Sequence, residues 1–376
     1  MAEFPVYSRL DLEIVSGSGM TVTDSSGRTY LDFYGGHAAA LLGHSPANLV
    51  AALGAQADQL MFQTNLVDLK IRKSAIHALL SLAPDSLTRV FLVNSGAEAV
   101  ENALRLAFKI TKRKKVVALK GSFHGRTAAA GAVTWGAVEK WYEFPNTPFE
   151  VEFVEPNDTQ ALANALDDTV AALIVEPIQG VAGAFDLSAD YLREARQLTR
   201  DRGVQLIADE VQCGMGRSGY VFAFEAADIV PDILVTAKGL AGGFPAGAVI
   251  TSAELADQLG VGSMGTTFGG GPLACAMIKV VCDTLSDPNF LERVKSVSRL
   301  IRESCRVGPV VDIQGGGLLL GLRTRGLAKD VLKSLRDRGV FAGGAADPHV
   351  VRLMPPLIAG AEDVKALAQA LMEIGS

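Results

Sequence analysis

Lys238 follows the apolar run Ile233-Leu-Val-Thr236 by two residues and is followed at once by Gly239 and then Gly242-Gly243. Such a run reads as a buried strand, and a polar group just past a strand end sits where open α/β sheets bind ligands. Burial there disfavours the ammonium form and lowers the pKa, leaving an amine that can attack a carbonyl and form a Schiff base. Taken alone, the residue reads more simply as a surface lysine closing a strand, because lysine is rarely fully buried.

Its companions change that reading. Val204-Gln-Leu-Ile-Ala208 runs into Asp209-Glu210, and Ala171-Ala-Leu-Ile-Val175 into Glu176-Pro177. If these strands are parallel to that of Lys238, the acids and the amine converge on one sheet edge, as a structural ion pair or as a reactive set. Val90-Phe-Leu-Val93 leads into Asn94-Ser95-Gly96-Ala97 and then a helix with Val100, Leu104 and Phe108 at helical spacing. Small residues at a helix start leave N–H groups free for a phosphate, although Ser-Gly is also a common helix cap. A phosphate cup, a lysine and an acid together point to pyridoxal phosphate, whose chemistry uses an imine-forming lysine and an acid on the pyridinium nitrogen.

The elements that must position these groups alternate along the chain. Val90–Val93, Val116–Leu119, Ala171–Val175, Val204–Ala208, Ile233–Thr236 and Ala248–Thr251 are separated by helical stretches. Such alternation predicts a doubly wound, mainly parallel α/β sheet. Met20–Phe33, alternating around Asp24-Ser-Ser-Gly27, reads as a hairpin. After Pro272 come a long helical segment, the runs Val310–Ile313 and Leu318–Leu322 around Gly315–Gly317, and a closing helix from Glu362. The expected division is an N-terminal segment of a small domain (1–45), a large domain (46–275) and a C-terminal small domain (276–376).

The 376 residues are 49% hydrophobic and carry a net charge of −6, so no global basic field attracts nucleic acid or an anionic membrane. The one basic run, Lys112-Arg113-Lys114-Lys115, follows the helix that opens with Glu98 and Glu101 and reads as a solvated helix end. Cys213, Cys275, Cys282 and Cys305 form no CxxC, and the five histidines form neither HxxxH nor HExxH; reduced thiols and no catalytic metal are expected. Met1-Ala-Glu-Phe-Pro lacks a basic and apolar leader, and no apolar stretch reaches the ~18 residues of a membrane span, so a cytoplasmic protein is expected. Gly214-Met-Gly216-Arg-Ser-Gly219 matches GxGxxG but opens no helix and reads as a tight loop.

Across nearly the whole chain, ordered motifs resemble the class III, or ω-amino-acid, aminotransferases of the acetylornithine and ornithine aminotransferase type. They include Leu31-Asp-Phe33 with Gly43-His44, Asn94-Ser-Gly-Ala-Glu-Ala99, Phe123-His-Gly-Arg-Thr127 and Glu176-Pro-Ile-Gln-Gly180. Further along come Asp209-Glu-Val-Gln212, Ala237-Lys-Gly-Leu240, Gly265-Thr-Thr-Phe-Gly-Gly270 and Arg352-Leu-Met-Pro-Pro356. Each is weak alone; the ordered set is specific. The resemblance implies a fold type I enzyme that moves an amino group between an acetylornithine-like ω-amino acid and a 2-oxo acid such as 2-oxoglutarate. It implies that Lys238 carries pyridoxal 5'-phosphate as an imine and that Asp209 pairs with the ring nitrogen. Val211 and Phe123 would cover the two ring faces, Ser95, Gly96 and Ala97 hold the phosphate, and Gln212 lie near the phenolic oxygen. His124 and Glu176 would complete the cofactor pocket. Thr267 would reach the phosphate of a second subunit, making a homodimer part of the site.

Arg126 and Arg352 match positions that hold substrate carboxylates, a task suited to the planar two-pronged guanidinium. Two departures bear on the amine. Relatives place a glutamate after Pro-Ile-Gln-Gly that pairs with the second arginine; here the residue is Val181, so Arg352 is expected to stand ready for a carboxylate. His37 occupies a pocket-lining position that is tyrosine in ornithine aminotransferase. Another reaction of the same fold (racemase, aminomutase or decarboxylase) and a non-catalytic protein retaining the fold are the competing readings.

Overall fold

The computed structural model describes residues 3–375. Seven strands form one sheet in the spatial order Arg89–Val93, Gly247–Thr251, Ile233–Thr236, Gln205–Asp209, Val170–Val175, Lys115–Leu119, Glu150–Val154. The pairings from Ile233–Thr236 to Glu150–Val154 are parallel, whereas Gly247–Thr251 is antiparallel to both of its neighbours. This is the expected mainly parallel, doubly wound sheet. Its interior strands Lys115–Leu119, Val170–Val175 and Ile233–Thr236 are buried along their whole length, which is why they read as continuous apolar runs. The helix Gly96–Thr111 packs Val100, Ala103, Leu104 and Ala107 with Ile207, Ile233 and Val235 on one face. On the other face Ala208, Leu234 and Ile250 join Ile278 and Val281 of the helix Pro272–Leu285.

The two ends of the chain meet. Leu31 and Asp32 pair in parallel with Val340 and Phe341, adding a fourth strand to the N-terminal sheet. A further sheet, ordered Val310–Gly316, Leu319–Thr324, Val350–Leu353, Gly343–Gly344, carries Arg352.

Four features differ from the sequence reading. The long segment after Pro272 is two helices, Pro272–Leu285 and Pro288–Ser304. The break falls where Asp287 caps the second helix by accepting from Asn289 N and Pro288 lacks the N–H to continue the first. The edge strand Glu150–Val154 went unread because its Glu-Val-Glu pattern resembles exposed chain. The basic run is not merely a solvated helix end. Arg113 donates to the carbonyls of Val170, Arg202 and Gly203, and buried Lys115 pairs with Glu152 and Asp167 at 2.5 and 3.3 Å. Likewise Glu101 lies in the second turn of its helix and accepts from Thr127 Oγ1 and the N–H groups of Ala129 and Ala130.

Candidate active site

Parallel register brings the strand-end groups together: Asp209 lies opposite Val235, and Val175, just before Glu176, lies opposite Ala208. Lys238 follows two residues after its strand with φ +46°, a left-handed conformation that costs a non-glycine residue roughly 1–3 kcal/mol and is typical of functional sites. Its amine makes no hydrogen bond or ion pair with any described residue. Burial lowers its pKa against the opposing pull of the Asp209 and Glu176 carboxylates, leaving a partnerless amine poised for nucleophilic attack.

Asp209 is 2% exposed; its Oδ1 accepts from Val211 N at 3.0 Å, and its Oδ2 lies 2.6 Å from Nδ1 of buried His124. The other imidazole nitrogen, His124 Nε2, is buried without a partner among the described residues. Beside them Glu176 uses both oxygens on backbone, accepting from Phe123 N at 2.8 Å and Gly180 N at 3.3 Å. Burial pushes its carboxyl up to about 7.

Ser95 caps the helix Gly96–Thr111, its Oγ accepting from Glu98 N, so the cap reading of Ser-Gly holds. The N–H groups of Gly96 and Ala97, in the first turn, have no intrahelical acceptor and remain available to an anion. Gly96 is required here: a Cβ would come 2.8 Å from Val211 Cγ1, so the turn and the Val211 side chain interlock. A free amine, an acid backed by an imidazole and an anion-binding helix start meet at one edge, and they fit a phosphate-bearing aldehyde with a basic ring nitrogen. Exposed Thr267 lines a cavity of about 600 Å³ with Asn94, Glu98 and Phe268.

Arg352, expected to hold a carboxylate, is 6% exposed and ion-pairs with no carboxylate among the described residues. Its Nε donates to Gly344 O, and its Nη1 donates to Gly180 O at 3.1 Å and Gln212 Oε1 at 3.3 Å. Neutral acceptors thus do the work of a counter-ion, while burial holds the pKa of the guanidinium below its usual value. The Val181 carbonyl accepts from Ala346 N, and its side chain offers no acid to Arg352. Arg126 is exposed and has no ion pair among the described residues; its guanidinium lies over the rings of Trp141 and Phe123.

His37 sits in a left-handed turn in which Gly35, Gly36, His37 and Ala38 have φ of 56°, 55°, 61° and 71°. Burial lowers the pKa of its imidazole, helped by the positive charges of Arg352 and Lys238, and its ring centroid lies 4.7 Å from that of Tyr34. Motif reading missed what anchors the turn. Asp32 Oδ1 accepts from Tyr34 N and Gly35 N at 2.8 and 3.0 Å, and its Oδ2 meets His44 Nε2 at 2.7 Å. An aspartate ahead of Gly-Gly was the available signal.

Glu210, next to Asp209, points elsewhere: its carboxylate accepts from Ala223 N, Phe224 N and Cys213 Sγ, and burial pushes it up to about 7. A raised carboxyl pKa means that the folded state keeps a proton which the unfolded state gives up near 4.5. Its contribution to stability is therefore full below 4.5 and is lost as pH rises through about 7, by at most about 3 kcal/mol. Glu210→Gln is expected to flatten the fall in denaturant midpoint between pH 5.5 and 8; an unchanged slope would exclude Glu210 as its source.

The aminotransferase class-III family model matches residues 5–374. The chain is 40% identical to a protein named acetylornithine aminotransferase from Methanopyrus kandleri, over 96% of this chain and 94% of that one. It is 36% identical to the LysW-aminoadipate semialdehyde/glutamate semialdehyde transaminase of Sulfurisphaera tokodaii, over 97% and 95%. Among solved structures, the ornithine aminotransferase of Toxoplasma gondii ME49 matches with a TM-score of 0.92 at 31% identity, covering 99% of this chain and 92% of that one.

Proposed function

The chain belongs to the class-III aminotransferases, and we propose that this pyridoxal 5'-phosphate-dependent transaminase serves an ω-amino acid of the acetylornithine kind and a 2-oxo acid such as 2-oxoglutarate. The observation that carries the site assignment is the partnerless amine of Lys238 at the sheet edge of the Asp209–His124 pair. In this reading Gly96 N, Ala97 N and Ser95 hold the phosphate, Asp209 takes the ring nitrogen, Val211 and Phe123 cover the ring faces, and Gln212 approaches the phenolic oxygen. Glu176 completes the cofactor pocket by holding Phe123 and Gly180 through their backbone N–H groups. When bound, the cofactor supplies an electron sink for the carbon that bears the amine.

The chain's own groups supply the rest. Lys238 Nζ, with its lowered pKa, accepts the proton from the amine-bearing carbon and would hand it on to the cofactor rather than back to that carbon. Arg126 takes the carboxylate remote from the amine of an ω-amino acid, and Arg352 the carboxylate beside the reacting carbon of the 2-oxo acid. His37, kept neutral, lines the pocket near Arg352.

The assembly is a homodimer in the cytoplasm. Supporting this, Thr267 is exposed beside the phosphate turn, in a patch where Phe62 and Phe268 stay 41% and 65% exposed. No helix among the described residues is long and apolar enough to cross a membrane, and all four cysteines are free and buried.

The test is a panel of ω-amino acids and α-amino acids, each added alone to the holoenzyme and scored by the cofactor absorbance change, on wild type and Val181→Glu. ω-Amino acids should convert the cofactor to its amine form without added oxo acid. Val181→Glu, placing an acid beside Arg352, should raise KM for 2-oxoglutarate about tenfold and spare the ω-amino donor. Inversion of an amino acid without an oxo acid would point to a racemase instead, and unchanged KM values would remove Val181 from substrate switching.

A further inference from the structure

The approach to Arg126 holds a feature that the ordered motifs do not include. Trp141 closes the short helix Ala137–Lys140 and is half-buried. The Arg126 guanidinium carbon lies 4.4 Å from the Trp141 ring centroid and 6.0 Å from that of Phe123. Glu101, the acid bonded to the very next residue, is already spent on Thr127, Ala129 and Ala130. Among the described residues the two rings are therefore the guanidinium's partners.

That choice of partner has a chemical consequence. A carboxylate partner would occupy the N–H fork of the guanidinium, and a substrate carboxylate would have to displace it. An aromatic ring holds the cation by its face and leaves the fork, which lies in the guanidinium plane, open. The indole is itself fixed. It packs on Gly131, where a Cβ would come 3.5 Å from Trp141 Cζ3, and the neighbouring Tyr142 hydroxyl donates to Ala128 O at 2.6 Å. Both contacts are to the helix Ala128–Ala132, which begins two residues after Arg126.

We propose that Trp141 is a positioning residue for carboxylate selection: its indole holds Arg126 by the face and presents an unoccupied fork to the carboxylate of the ω-amino acid. The proposal rests on the assignment of Arg126 as a carboxylate site. It makes the preference for a carboxylate-bearing amine a property of the Arg126–Trp141 pair.

The test compares N-acetylornithine with N-acetylputrescine, which differs only in lacking the carboxylate, as amino donors to the holoenzyme. Trp141→Leu should raise KM for N-acetylornithine about tenfold, leave its kcat within about twofold, and leave KM for N-acetylputrescine unchanged. Trp141→Phe, which keeps a ring under the guanidinium, should recover KM to within about threefold of wild type. Trp141→Met replaces the leucine variant should that one yield no holoenzyme. Equal effects on both amines, an effect on kcat alone, no effect, or no recovery with phenylalanine would overturn the proposal. Arg126→Gln separates the two levels. Loss of the preference for N-acetylornithine there, with none in Trp141→Leu, rejects Trp141 alone; a preference that survives Arg126→Gln rejects the carboxylate assignment and Trp141 with it.

Discussion

Lys238→Ala is expected to lower transamination turnover by on the order of 10⁴-fold or more, because one change removes both the nucleophile and the proton carrier. Borohydride treatment of the wild-type holoenzyme should fix cofactor mass to the peptide containing Lys238, and the variant should show none. Lys238→Arg keeps a cation but offers no amine of low pKa, so it should be as inactive as the alanine variant. The backbone adds a second signature. At φ +46° the wild-type residue carries left-handed strain, so Lys238→Gly should be inactive yet at least as stable as Lys238→Ala, by about 1 kcal/mol. Wild-type turnover in either inactive variant, or cofactor fixed to a different peptide, would overturn the assignment.

Lys238 and Asp209 were legible in the sequence because both lie within two residues of a largely apolar run, and parallel strands turn chain order into a shared edge. The orientation of Gly247–Thr251 was not legible, since a short apolar run looks the same in either direction. Nor was the fate of the basic run, because periodicity places Arg113 and Lys115 along the chain but says nothing of which carbonyls or acids lie across from them. The turn at His37 escaped for a related reason. Successive left-handed residues are foreign to both helix and strand patterns, and the Asp32–His44 contact that holds them joins positions twelve residues apart. Trp141 was invisible as a partner because a ring–guanidinium pairing leaves no spacing rule.

The two arginines show how far residue type alone can go. Both resemble carboxylate-binding positions, yet the fold solves their burial differently. Arg352 is sunk in the sheet and satisfied by two carbonyls and the Gln212 amide, so the absence of a glutamate at Val181 leaves no uncompensated desolvation. Arg126 stays exposed and is bracketed by rings. Neither keeps a resident anion among the described residues: in the proposed roles a substrate carboxylate would meet an open guanidinium at Arg126, and at Arg352 one whose N–H groups are already partly used on neutral acceptors.

Asp209→Asn should reduce kcat by about 10² to 10³ at saturating cofactor, and His124→Asn by a smaller factor of about ten. A carboxylate has about four acceptor sites, and Val211 N and His124 occupy two of those on Asp209, leaving capacity for a ring N–H. In the proposed role a carboxylate charge at this position would favour the cationic ring, which a neutral amide cannot do. In this proposal His124 would act through Asp209: with Nε2 lacking a partner among the described residues, its contact to Oδ2 holds the carboxylate on that side. The asparagine at 124 keeps a donor but loses the reach of the ring. Measuring kcat at saturating cofactor, separately from cofactor affinity, distinguishes lost electron withdrawal from lost binding. If Asp209→Asn lowered affinity alone, Asp209 would be a binding residue; if His124→Asn cost as much as Asp209→Asn, the histidine would have to touch the cofactor or substrate itself.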